Sequence, residues 1–190
     1  TAVGITDLKS NTSGYDNVAI GKDALKTNTT GYENTAVGYN SLMLNTTGNT
    51  NTAIGERALE DNTTGSRNTA VGVVTLKGNT TGENNVGIGN GSLYANTTGR
   101  VNTAVGYRSL NANTTANNNV AIGEKTMLLN TTGNTNTAVG TKALYSNTTG
   151  ANNTVTGAFS LYANTTGTEN VAIGKNVLST HTTGSNNVGV

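Results

Sequence analysis

Ten Asn-Thr-Ser/Thr triplets in constant phase are the first residues in this chain that could carry chemistry: Asn11, Asn28, Asn45, Asn62, Asn79, Asn96, Asn113, Asn130, Asn147 and Asn164. Each is a possible N-glycosylation acceptor, although in a chain this rich in Asn and Thr such triplets also arise from composition alone. The same triplets offer a threonine array, at Thr29 or Thr30 and their copies, of the kind an ice-binding face needs. A third reading is structural, since Asn, Thr and Gly are turn residues. Copies stacked one coil apart would lie about 4.8 Å from one another, too close for a glycan at every step. Occupancy is therefore expected to be partial or nil, with Asn28 and its copies forming a ladder of turn residues.

Other chemistry has little to stand on. There is no cysteine, and the one histidine, His181, stands in the Asn28 column of the last unit, where a turn residue is expected rather than a base or ligand. Glu60-Asp61 has no acidic partner in the same columns of adjacent units, and Gly87-Ile88-Gly89-Asn90-Gly91 lacks the helix and acidic residue of a dinucleotide site. The turns carry Asn and Thr where calcium-binding rolls carry Asp. The chain is expected to have no catalytic activity, no metal and no cofactor. A net charge of +1 with both signs scattered argues against a nucleic-acid partner, and no apolar run is long enough for membrane insertion.

The elements that position these residues follow from the period. A glycine recurs every 17 residues from Gly4 to Gly174, and an asparagine column keeps the same phase: Asn17, Asn34, Asn51, Asn68, Asn85, Asn102, Asn119, Asn136, Asn153, Asn170 and Asn187. Constant phase without insertions is the mark of a solenoid, with residues 1–190 forming one continuous array, read here as part of a longer fibre. The unit is N-[TV]-A-[VI]-G-x-x-[AST]-L-x-x-N-T-T-G-x-x. Its two glycines, β-branched threonines and asparagines make a poor helix. The expected fold is all-β, a parallel β-solenoid of eleven 17-residue coils with two short strands and two turns per coil. Asn17 and its copies should form an amide ladder.

In Asn17-Val18-Ala19-Ile20-Gly21, one face holds Val18 and Ile20 and the other Ala19 and Gly21. The larger side chains point to an aliphatic core of Ile20, Val37, Ile54, Val71, Ile88, Val105, Ile122, Val139 and Ile173. A second anchor per coil adds Leu25, Leu42, Leu59, Leu76, Leu93, Leu110, Leu144, Leu161 and Leu178, with Met127 filling that column once. Ala19 and Gly21 then belong either to a tight bend or to a surface packed against another chain. The NTTG turn is expected to use positive φ at Gly31 and its copies, which would strain Ala116, the one exception in that column. The tyrosines all fall in variable columns and are expected on the surface, where exposed aromatics suit weak carbohydrate contact.

The string NVAIG, at residues 17–21, 119–123 and 170–174, resembles the head repeats of trimeric autotransporter adhesins (YadA-like heads). Those heads carry a similar N-x-[VA]-A-I-G string in a left-handed parallel β-roll, with a repeat usually shorter than 17 residues. The longer NTTG…NTA[VI]G-x-x-[AS]L form is similar to shaft repeats of phage and marine bacterial tail-fibre-like proteins. The resemblance implies a homotrimeric extracellular fibre or adhesin on a cell or virion surface, contacting surface glycans or a receptor. Self-association as a trimer or as an end-to-end filament is the expected partnership, and an ice-binding solenoid is the alternative.

Overall fold

The pentad Asn-x-Ala-x-Gly forms one three-residue strand per coil, ended by a glycine whose φ lies between 117° and 157°. The computed structural model describes residues 1–190, an all-β parallel solenoid without helix. The strands are β1 (Ala2–Val3), β2 (Val18–Ile20), β3 (Thr35–Val37), β4 (Thr52–Ile54), β5 (Thr69–Val71), β6 (Val86–Ile88), β7 (Thr103–Val105), β8 (Val120–Ile122), β9 (Thr137–Val139), β10 (Thr154–Thr156), β11 (Val171–Ile173) and β12 (Val188–Gly189). They pair in chain order as one parallel sheet, each residue opposite its equivalent 17 positions on, as in Ala19↔Ala36. At about 4.8 Å per coil the array is a rod roughly 50 Å long.

The expected second strand is absent. Its place is taken by a bend in which Leu25 and every residue of its column have φ between 47° and 51°. A left-handed leucine costs about 1–2 kcal/mol, and no strand runs through it. The bend still bonds between coils, with Leu25 N–H donating to Ser41 O and Thr27 N–H to Met43 O, each at 3.1 Å. Of 123 backbone hydrogen bonds only 21 lie within the strands, so the bends supply most of the cohesion along the rod.

The two faces of the strand are the reverse of the expectation. Ala19 and its copies from Ala36 to Ala172 are fully buried, whereas Ile20, Ile54, Ile88, Ile122 and Ile173 are 40–45% exposed and Val37, Val71, Val105 and Val139 only half-buried. These nine residues lie outside the core. The interior is already filled by the Leu25 column and by two asparagine columns, which leaves room opposite them for alanine in most coils and, in one, for Val155. Leu25, Leu42, Leu59, Leu76, Leu93, Leu110, Leu144 and Leu161 are fully buried as expected, with Met127 in line, and Leu178 in the last coil is half-buried.

Packing in this narrow interior is matched in pairs twelve residues apart. Thr75 packs where a Cβ on Gly87 would come within 2.8 Å of its Cγ2, and Val177 stands in the same relation to Gly189. The one valine in the alanine column, Val155, falls twelve residues after Ala143, a small residue. In these coils extra bulk on one side is offset on the other, as close packing favours, whereas Thr126 and Ala138 are accommodated together without such an exchange.

Candidate functional site

Two asparagine ladders run through the interior. In the first, Asn17 Oδ1 accepts both the backbone N–H of Asn34 (3.0 Å) and its Nδ2 (3.2 Å), while Asn34 Nδ2 also donates across the coil to Gly48 O at 2.9 Å. The pattern repeats to Asn187. In the second, Asn45 Nδ2 donates to Asn28 Oδ1 (2.8 Å) and to Gly48 O three residues on (2.9 Å). The two ladders therefore share an acceptor: the carbonyl of Gly48 takes one amide from each, using both lone pairs.

This arrangement decides the ten in-phase sequons; Asn90-Gly91-Ser92 and Asn152-Asn153-Thr154 lie outside that column, with Asn90 and Asn152 exposed. From Asn28 to Asn164, nine of the ten asparagines are 0% exposed, and each donates both amide hydrogens internally. A sugar on Nδ2 would replace one of those hydrogens and would need space the interior lacks, so at these nine positions an N-glycan and a closed coil are mutually exclusive. Asn11, in the first coil, is the exposed exception.

Gly31 and its copies do not have positive φ, and the basis expected for Ala116 strain falls away. What excludes a side chain there is contact. A Cβ at Gly31 would sit 2.4 Å from Asn28 Oδ1 and from Gly48 O. Ala116, which carries that Cβ, lies beside the one stretched rung of the second ladder, Asn130 Nδ2 to Asn113 Oδ1 at 3.3 Å, against 2.7–2.9 Å elsewhere.

His181 is a turn residue, its N–H bonded to Leu178 O and its Nε2 lying 3.0 Å from Asn187 Nδ2. It also ends the second ladder, because Asn164 Oδ1 is buried with no donor. Glu60 and Asp61 are held by cations: Lys77 lies 3.3 Å from Glu60 Oε2 and 3.1 Å from Asp61 Oδ2, and Arg57 Nε is 2.7 Å from Glu60 Oε2. Burial pushes the Glu60 carboxyl up, but hydrogen bonds from Arg57, Lys77 and Asn40 outweigh it and hold the group below its ordinary value. Sequence reasoning missed this cluster, although Lys77 stands one period after Glu60. Gly89 of the Gly-x-Gly-x-Gly run is the strand-ending glycine of its coil, and Gly87 faces Thr75.

The outside carries three ordered features. The sheet presents two adjacent ranks of β-branched residues, the Val18 column (Val or Thr) and the Ile20 column (Ile, Val, once Thr), with no charge in either. A third rank, Thr30 and its copies to Thr166, is exposed in every coil. The neighbouring Thr29 rank is half-buried and spends its hydroxyls along the rod, Thr29 Oγ1 donating to Thr46 O at 3.0 Å. The tyrosines are mostly engaged with one another or with lysines. Tyr15 stacks on Tyr32 at 4.9 Å and Tyr145 on Tyr162 at 5.0 Å, while Lys22 lies over Tyr39 and Lys125 over Tyr107. Tyr94 alone has neither kind of neighbour. In comparisons with known proteins, no family model matches the chain, and neither a curated protein nor a solved structure matches it.

Proposed function

We infer that the array is a structural shaft segment of a fibre or filament on the outside of a cell or virion, without catalysis of its own. The observation that carries this reading is the outer face of the sheet. Two charge-free ranks of β-branched side chains, one coil apart along about 50 Å, make a continuous band of roughly 500 Å², at the upper end of what a lone soluble protein exposes. The outermost rank also alternates: Val3, Ile20, Val37, Ile54, Val71, Ile88, Val105, Ile122 and Val139 follow one another without a break. That gives knobs and gaps at about 9.6 Å, a spacing that a further copy of the same chain meets at every step. The reading is of lateral self-association, as a trimer or in a filament, with the coil stack providing stiffness and the band providing adhesion between copies.

Mass photometry and electron microscopy of the purified chain test it. Defined oligomers or rods are expected, and Ile54→Lys combined with Ile88→Lys should return them to monomers with unchanged circular dichroism. A wild-type chain that stays monomeric at micromolar concentration would overturn the reading.

A second reading is favoured by the Thr30 rank alone, whose evenly spaced exposed hydroxyls suit an ice-binding solenoid. Only one such rank is present, since the Thr29 hydroxyls are turned into the rod. Thermal hysteresis that is lost in Thr81→Lys would select it over the shaft.

A further inference from the structure

Gly91 interrupts a column that otherwise carries a side chain in every coil: Asp23, Asn40, Arg57 and Val74 precede it, and Arg108, Lys125 and Lys142 follow. The interruption leaves a notch of about 290 Å³ on the rod surface, walled by Tyr94 and Tyr107 and closed by Arg108, Asn90 and Asn111. Asn111 is anchored by its Nδ2, which donates to Gly91 O at 2.7 Å, while its Oδ1 accepts no hydrogen bond from the chain. The Arg108 guanidinium has no salt bridge, unlike Lys77, which is held by Glu60 and Asp61, and Lys125, which is held by Glu124. The exposed faces of Tyr94 and Tyr107 (41% and 47%) frame the gap. Nowhere else on the rod do a missing side chain, an unstacked tyrosine and an uncommitted arginine meet.

We propose that this notch binds a single carboxylated sugar ring, such as a uronic acid residue in an acidic polysaccharide. The chemistry is complementary group by group. The apolar C–H face of a pyranose lies on the Tyr94 ring. Its carboxylate takes the free guanidinium of Arg108, whose fork geometry suits two parallel hydrogen bonds. The ring hydroxyls meet the carboxamides of Asn90 and Asn111, which can both donate and accept. The volume lies at the lower edge of small-ligand pockets (roughly 300–1,000 Å³), enough for one ring and not for a compact oligosaccharide. The inference names a ligand for the shaft surface; binding itself does not depend on whether the chain assembles into fibres.

Isothermal titration with trigalacturonate as probe and maltotriose as neutral control tests it on the intact chain. One saturable site per chain with Kd on the order of 1 mM is expected, and at least about tenfold weaker binding of maltotriose. Gly91→Arg should abolish binding without unfolding the coil, because Arg57 and Arg108 already occupy that column with φ of 57° and 51°. Tyr94→Ala and Arg108→Ala should each weaken it about tenfold, while Tyr39→Ala should leave it unchanged. Absence of saturable binding, equal affinity for maltotriose, or wild-type affinity in Gly91→Arg overturns the proposal. Electron microscopy of the same samples reads fibre formation separately, so failure of the shaft reading and failure of the notch are distinguishable.

Discussion

The two asparagine ladders look alike in sequence and differ in what they hold. In the Asn17 column each Oδ1 accepts two donors, a backbone N–H and an amide, and its rungs are correspondingly long, at 2.9–3.3 Å. In the Asn28 column each Oδ1 up to Asn147 accepts one amide, and the rungs are short, at 2.7–2.9 Å, apart from the stretched one beside Ala116. The first ladder also satisfies the backbone N–H of the next coil and crosses the interior to the far carbonyl; the second satisfies a carbonyl only three residues away. One column ties strand, neighbouring coil and opposite bend together, and the other closes a local turn. That difference explains why the Asn17 column admits no substitute in this chain while the Asn28 column tolerates His181.

Substitution in mid-array puts the contrast to its hardest test. Asn85→Ala removes the acceptor of the Asn102 backbone N–H as well as its amide partner, and should cost about 3–4 kcal/mol, since a buried unsatisfied donor costs about 1–3 kcal/mol. Asn96→Ala orphans no backbone donor and should cost about 2 kcal/mol. Urea denaturation measures both, and equal losses would erase the distinction. Extending the second ladder sharpens it: His181→Asn gives the buried Asn164 Oδ1 its missing donor and should stabilise by about 1 kcal/mol. Ala116→Gly relieves the contact beside the stretched rung. Overpacking costs about 1–3 kcal/mol and the entropy lost by choosing glycine about 0.4–1 kcal/mol, so a net gain of about 1 kcal/mol in the melting free energy is expected.

The smallest effect separates the ladders from the charged surface. Neither ladder titrates, so the gap between Asn85→Ala and Asn96→Ala should be the same at pH 5 and pH 8. The Glu60 carboxyl is held below its ordinary value of 4.5. Its contribution is therefore complete above that pH and is lost as pH falls through the lower folded-state value. Glu60→Gln should flatten the acid limb of a stability-against-pH curve; an unchanged limb would assign it to other carboxylates.

Period, coil count and the existence of both ladders were legible in the residues, because identical side chains at a fixed interval must stack on themselves. Which face of the strand turns inward was not. Both parities of [TV]-A-[VI]-G are apolar, and the choice depends on how little space Leu25, Asn28 and Asn34 leave between them. Nor does leucine announce a left-handed backbone, so the second bend read as a strand. The role of the NTTG glycine was misassigned for a related reason: glycine marks positive φ and close approach equally, and only the 2.4 Å contacts at Gly31 separate the two. The notch at Gly91 was visible as a lone glycine in its column, but its meaning needed Tyr94 and Arg108, which belong to different coils.

Every rung of both ladders is oriented the same way, the later asparagine donating to the earlier one. Aligned amides polarise one another as they lengthen, so the rod has an electrical sense, like a row of small magnets laid head to tail. A break between any two coils leaves carbonyl oxygens on one fragment and amide hydrogens on the other. Such fragments can rejoin in one orientation only, which makes the array a template that reads itself in a single direction.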